Sequence, residues 1–103
     1  MSKPAYLIAQ IDVQDYESYL AEYGLPLLEQ FNELGVEVLA AAPEFEVLEG
    51  SWEGNWIAIM KFPSAEAVAE FYHSDKYAPL KKLRIEELSN AGTVVMVPGI
   101  NSP

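Results

Sequence analysis

Two segments of this chain, Ala5 to Val13 and Asn55 to Phe62, are apolar at odd and even positions alike. In the first, Leu7, Ala9 and Ile11 alternate with Tyr6 and Ile8; in the second, Trp56, Ala58, Met60 and Phe62 alternate with Ile57 and Ile59. Successive side chains of a strand point to opposite faces, so a strand with one wet face alternates apolar with polar residues. These segments break that alternation. They predict a sheet that is covered on both sides.

The rest of the chain supplies cover for one side only. Tyr16, Tyr19, Leu20, Tyr23, Leu27, Phe31 and Leu34 recur at spacings of three and four, which predicts one helix with a single apolar stripe. Asp12 or Asp15 is placed to cap it, Pro26 in Gly24-Leu25-Pro26 predicts a kink or short break, and Gly35 ends it. Val36 to Ala42 reads as a second strand, bent or broken at Pro43 and resuming from Phe45 to Leu48. Glu49 to Gly54 is a connection containing two glycines. After the Asn55 to Phe62 strand, Ser64 caps a helix whose inner face is Val68, Phe71 and Tyr72, ending near His73-Ser74. A further helix covers roughly Ala78 to Leu88, with Pro79 in its first turn. Asn90-Ala91-Gly92 reads as a turn, Thr93 to Val97 as the last strand and Pro98 to Pro103 as a tail.

This order, β, α, β, β, α plus α, β, is the split βαβ pattern. It predicts one α+β domain over 1–103, a ferredoxin-like βαββαβ unit with a four-stranded antiparallel sheet and helices on one face. The second apolar face then lacks cover, and another copy of the chain is the simplest source of it. A homodimer is expected, formed through the sheet face that carries residues of the first and third strands.

The 103 residues suit one domain. Sixteen acidic residues against six basic ones give a formal charge of −10, which repels nucleic acid and anionic membrane surfaces alike. Solubility is the simplest role for that charge. The absence of cysteine removes disulfides, thiolate nucleophiles, zinc-thiolate sites and iron–sulfur clusters together. Met1-Ser2-Lys3-Pro4 leads straight into the first strand, without a signal peptide or an apolar run of membrane-spanning length, so a cytoplasmic protein is expected. No phosphate-cradling loop, dinucleotide fingerprint, Gly-x-Ser-x-Gly elbow or His-Glu-x-x-His helix is present. With a single histidine, no metal or other cofactor is expected.

His73 is the only histidine and Arg84 the only arginine. On one unbroken helix His73, Tyr77 and Arg84 would lie within about 20–40° of each other. Pro79 interrupts that helix, so only the Tyr77–Arg84 spacing survives. One reading places these three as a catalytic group: Arg84 holds a carboxylate or enolate, and His73 moves a proton. The other leaves His73 in solvent near a helix end and pairs Arg84 with Glu87 or another acidic neighbour. Trp52 and Trp56 flank the entry to the third strand, as pocket walls or as core and interface anchors. Tyr16, Tyr19, Tyr23 and Tyr72 read as core residues with hydroxyls at the rim, or as a source of one acid. Asp12, where the first strand ends, is a cap or a pocket residue. Tyr19, Tyr72, Asp12, Trp52 and Trp56 are thus the candidate ligand contacts. Glu44, Glu46, Glu49 and Glu53 form an acidic run that reads as a solvated edge or a weak cation site.

Several of these residues also match a family. Glu46-Val47-Leu48-Glu49-Gly50-Ser51-Trp52 resembles a motif of Val-Leu-Glu-Gly followed by Trp. Ile57 to Phe62 with Pro63-Ser64 is similar to a strand, Phe-Pro-Ser, helix signature. Phe71-Tyr72, Ser74-Asp75-Lys76-Tyr77 and Leu83-Arg84 resemble an aromatic-Tyr, a Ser-x-x-Tyr and a terminal Arg position. Asp12, Asp15, Tyr19, Tyr23 and Pro26 fall where the first helix of that family carries such residues. Over nearly its whole length the chain resembles domain-of-unknown-function family 1330, within the dimeric α+β barrel superfamily. The resemblance implies two ferredoxin-like sheets face to face, and names no reaction. Gly35-Val36 and Ala41-Ala42-Pro43 depart from a Gly-Gly pair and an Arg-Gly-Gly-like stretch of that family. Relatives of the fold imply a cofactor-independent isomerase, lyase or monooxygenase acting on a small organic molecule; the alternatives are a non-catalytic small-molecule-binding or stress-associated module and a purely structural dimer.

Overall fold

In the computed structural model, which describes residues 3–100, one antiparallel sheet holds β1 (Ala5–Val13), β2 (Glu37–Ala42), β3 (Trp56–Phe62) and β4 (Ser89–Pro98). The strand order is β2-β3-β1-β4. Three helical segments complete an α+β, ferredoxin-like βαββαβ architecture: α1 over 16–34, α2 (Ala65–Tyr72) and α3 over 78–88. The strand pairing sorts side chains by face. Leu7 opposite Met60, Ala9 opposite Ala58 and Ile11 opposite Trp56 turn toward the helices. There they join Phe31, Phe62, Val68 and Phe71 in the core.

The other face carries Tyr6, Ile8, Ile57 and Ile59, each half-buried, flanked by Val95 at 46% and Val97 at 42% exposure. This is the second apolar face that the sequence predicts, and no described helix packs on it. A stripe of β-branched residues fits a pleated surface well, so the face is formed by the strands themselves.

α1 runs continuously across Pro26, by a device that the sequence only hints at. Proline lacks an N–H and crowds the carbonyl four residues back. The helix widens by one residue just before it: Leu20–Gly24 is a π turn, and the Leu25 N–H donates to the Leu20 carbonyl. Such widened turns absorb an interruption without ending the helix. Gly35 then stops α1 with φ of 71°, as expected of a residue that tolerates left-handed backbone. Ser64 caps α2 by accepting from the Ala67 N–H at 3.1 Å. At the start of α1, Asp15 occupies the cap position, but its carboxylate takes the Ser18 hydroxyl at 2.6 Å instead of a backbone N–H.

Three expectations are corrected. Phe45 to Leu48 forms no strand; 43–55 is an exposed irregular loop. Its return is fixed by Asn55, whose amide accepts from the Val13 N–H at 2.7 Å and donates to the Val13 carbonyl at 2.9 Å. Asn90-Ala91-Gly92 is not a turn but the opening of β4, paired with the end of β1 across a bulge at Asp12/Val13. Gly92 pairs with Ile11 in the ladder and lies so close to it that an added Cβ would sit 2.8 Å from Ile11 Cδ1 and displace that side chain. The tail expected from Pro98 shrinks as well. Pro98 closes β4 and the Gly99 N–H donates to the Pro4 carbonyl at 2.7 Å, while 101–103 lie outside the described residues.

Candidate functional site

Between the inner sheet face and α1 lies a cavity of about 280 Å³. Its floor is Leu7, Ala9, Trp56, Ala58 and Met60; its roof is Tyr16, Tyr19, Leu20, Tyr23 and Leu27 of α1. Small floor residues create the space. Ala9 and Ala58 pair across β1 and β3 at the point where larger side chains would fill it. The mouth opens between α1 and β2, where Leu25, Leu28 and Val38 are exposed.

Arg84 reaches this cavity from the far side. It begins the second π turn, Arg84–Leu88, which closes α3. That turn is tied down by Ser89, whose hydroxyl donates to the Arg84 carbonyl at 2.6 Å, and by the Gln14 N–H donating to the Leu88 carbonyl at 3.1 Å. Arg84 is only 4% exposed. Among the described residues the one salt bridge joins Lys76 to Glu33 on the surface, so no described carboxylate neutralises Arg84. Glu87, the expected partner, is exposed.

Aromatic rings surround the guanidinium. Its carbon lies 6.0 Å from the centre of the Tyr23 ring, within the reach of a cation–π contact. The Tyr23 and Tyr77 hydroxyls are 2.6 Å apart and share a hydrogen bond that either can donate. Burial opposes the charge on Arg84, and the attraction to Tyr23 and Tyr77 that raises its pKa above the usual arginine value is an attraction to those phenols in their ionised form. Burial likewise pushes the Tyr19 and Tyr23 hydroxyls above the ordinary phenol range. At neutral pH these phenols are therefore uncharged, and they give Arg84 dipoles but no counter-charge.

Local structure places each group. Ser74 accepts from the Tyr77 N–H at 3.1 Å and donates to the Phe71 carbonyl at 2.7 Å, holding Tyr77 beneath the end of α2. Tyr77 then stacks on Phe71 at 4.4 Å and meets the edge of Tyr23 at 6.4 Å. Along α1 the ladder continues from Tyr23 to Tyr19 at 5.0 Å and from Tyr19 to Trp56 at 5.7 Å.

Of the residues singled out in the sequence, Arg84, Tyr16, Tyr19, Tyr23 and Trp56 line this cavity, and Tyr77 stands behind it, bonded to Tyr23. The others stand apart. His73 is exposed at the end of α2, against the Tyr72 ring at 5.4 Å, and does not line the cavity. Tyr72 lies under the Lys81 ammonium at 4.4 Å, facing shallower hollows beside β4. Trp52, 38% exposed, packs on Phe45 within the 43–55 loop. Asp12 ends β1 and accepts from the Asn90 amide at 3.3 Å. Among the described residues no three acidic or histidine side chains gather to hold a metal. No described helix is long and apolar enough to cross a membrane.

The Tyr23–Tyr77 pairing and the two π turns are what sequence reasoning passed over. Tyr23 belongs to the apolar stripe and reads as core until its partner, 54 positions away, is known. π turns recur at functional sites, and both of these present their residues to one cavity.

The family described as a domain of unknown function (DUF1330) matches residues 4–100. No curated protein matches the chain. Among solved structures, a protein of unknown function from Rhodopseudomonas palustris is similar with a TM-score of 0.71 at 17% identity, over 99% of this chain and 86% of that one. A dimeric ferredoxin-like protein of unknown function from Jannaschia sp. CCS1 has a TM-score of 0.73 at 13% identity, over 91% and 97%. A candidate antibiotic biosynthesis monooxygenase from Caulobacter crescentus CB15 has a TM-score of 0.60 at 16% identity, over 97% and 92%. At these identities the likeness is one of fold.

Proposed function

Since the chain belongs to the DUF1330 family, whose name assigns no activity, we propose a function from the site itself: a cytosolic homodimer that binds a small organic molecule on the helix side of each sheet, its anionic end held by Arg84. One observation carries this reading. Arg84 is buried beside an apolar cavity, and among the described residues no carboxylate pairs with it. A buried charge without a partner is costly, by several kcal/mol as an order of magnitude. A fold that keeps one beside an open cavity is arranged for a partner that arrives from outside. The cavity of about 280 Å³ lies at the low end of pockets for drug-sized ligands, roughly 300–1,000 Å³. It suits a smaller molecule.

The dimer is supported by the apolar outer face and by likeness to the dimeric Jannaschia protein. A second reading, a cofactor-independent enzyme of isomerase, lyase or monooxygenase type, is favoured by the Tyr23–Tyr77 hydroxyl pair beside Arg84, which could pass a proton to a bound molecule. Likeness to the Caulobacter protein points the same way, by fold alone. His73, exposed and off the cavity, has no part in either reading.

Protein made in cells and denatured after gentle purification should release a small organic anion, detected by mass spectrometry. Adding that compound back should raise the melting temperature. A stable product on incubation favours the enzyme; a thermal shift without product favours the binding module. Release of nothing, with no shift from any of a panel of organic acids, would leave only a structural dimer.

A further inference from the structure

The polar side chains that line the cavity share one property. They are Arg84, the Trp56 indole and the hydroxyls of Tyr16, Tyr19 and Tyr23; no carboxylate, carboxamide, imidazole or amine is among them. Arginine offers five N–H donors and no acceptor, and indole offers one donor and no acceptor. The proton count around Arg84 sharpens this. Tyr23 and Tyr77 carry two hydroxyl protons between them, and one is used in their 2.6 Å contact. If Tyr23 donates, the Tyr77 proton is left over; if Tyr77 donates, the Tyr23 proton is left over and Tyr23 faces the cavity. Arg84 accepts neither. The second arrangement sets a free hydroxyl proton beside the Arg84 guanidinium at the buried end of the cavity.

Resting on the binding function proposed above, we infer that this end is a carboxylate receptor in which Arg84 and the Tyr23–Tyr77 pair act together, and that the natural ligand is an apolar monocarboxylic acid taken up as its anion. The charge count limits the ligand to one negative group, because Arg84 is the only cation lining the cavity. The walls of leucine, alanine and aromatic side chains take the body. An amide of the same shape brings no charge for Arg84 to pair with, and an amine brings a second positive charge.

The probes are 1-naphthoate and hexanoate, each set against its primary amide. Binding is followed by the fluorescence of Trp56 in a Trp52→Phe background, which leaves Trp56 the only indole, and by calorimetry. Each acid is expected to bind about 10- to 100-fold more tightly than its amide, the range of one charge-assisted hydrogen bond over a neutral contact. Tyr23→Phe should narrow the gap several-fold. Arg84→Gln should abolish it while the amides keep their affinity, which shows that the cavity itself remains folded. Equal binding of acid and amide overturns the carboxylate receptor and leaves the cavity as a site for neutral molecules. An acid preference that survives Arg84→Gln overturns it too. If neither acid nor amide perturbs Trp56 at millimolar concentration, the receptor and the binding function fall together.

Discussion

The two faces of the sheet are apolar for different reasons, and the contrast separates assembly from binding. The outer face is made of half-buried Ile8, Ile57 and Ile59 with the exposed Val95 and Val97, branched side chains that fill a flat surface and leave no recess. The inner face alternates large residues with Ala9 and Ala58, and its helices close over a gap instead of filling it. Native interiors are close-packed, and an empty apolar volume forfeits contacts on every wall. The outer face lacks a lid; the inner face has a lid and lacks a filling. The first calls for another surface, the second for a small molecule with one charge. Only the inner side holds a buried cation, so only that side discriminates by chemistry.

The largest expected effect tests the outer face. Ile59→Asp puts a carboxylate in the middle of the surface, opposite Ile8 on β1 and Ala40 on β2. In a lone protomer this carboxylate is hydrated. In a face-to-face dimer it is buried without a partner, at a penalty of several kcal/mol for each copy. The dissociation constant is expected to rise by at least about 10³-fold, giving a folded monomer by light scattering at micromolar concentration. Met60→Asp, one residue along, points into the core. It should instead lower the unfolding free energy by about 3 kcal/mol or more. If Ile59→Asp leaves a tight dimer, the outer face is not the interface.

The same contrast explains what could be read from the sequence. Both faces of β1 and β3 are visible in it because strand periodicity is local and the apolar residues appear at every position. The α1 stripe and the Gly35 stop are local for the same reason. The opening of β4 is hidden because Asn90 and Gly92 carry turn chemistry, and what keeps Gly92 in a strand is its pairing with Ile11 on the neighbouring one. The first π turn has a sequence trace in Pro26. The second has none: nothing in Arg84-Ile85-Glu86-Glu87-Leu88 marks it, and the ties that hold it come from Ser89 and Gln14. In the site, Arg84 stands out by being the only arginine, and His73 stood out on the same ground. Rarity does not tell direction. The turn at Ser74 sends Tyr77 inward and leaves His73 in solvent.

A smaller effect, of unusual sign, tests the inner face. Removing a buried charge that lacks a counter-ion relieves a desolvation cost, and well-packed apolar replacements of buried ionic groups often stabilise by about 1–4 kcal/mol. Arg84→Met, similar in length and able to adapt its shape, is expected to raise the unfolding free energy of the unliganded protein, measured by urea titration, by the lower part of that range. The same variant should lose the thermal shift caused by organic acids. Most core substitutions destabilise, so stabilisation with loss of binding marks a residue kept for its ligand. Destabilisation by about 2 kcal/mol or more would instead show that Arg84 is structurally satisfied by its tyrosines.

The smallest effect is a slope against pH. Burial raises the Tyr19 and Tyr23 hydroxyls above the phenol value of about 10 that they regain on unfolding. A group raised in the folded state contributes its full stability below the unfolded pKa and loses it as pH climbs toward the folded one. Stability is therefore expected to be insensitive to these two groups up to about pH 10, and then to fall by up to about 1.4 kcal/mol per pH unit for each. Urea unfolding at pH 8, 10 and 11 measures the slope, and Tyr19→Phe with Tyr23→Phe should flatten it. An unchanged slope in the double variant would mean that water reaches both hydroxyls through the mouth of the cavity. The inner face would then be wet when empty, and a ligand would have to displace that water before reaching Arg84.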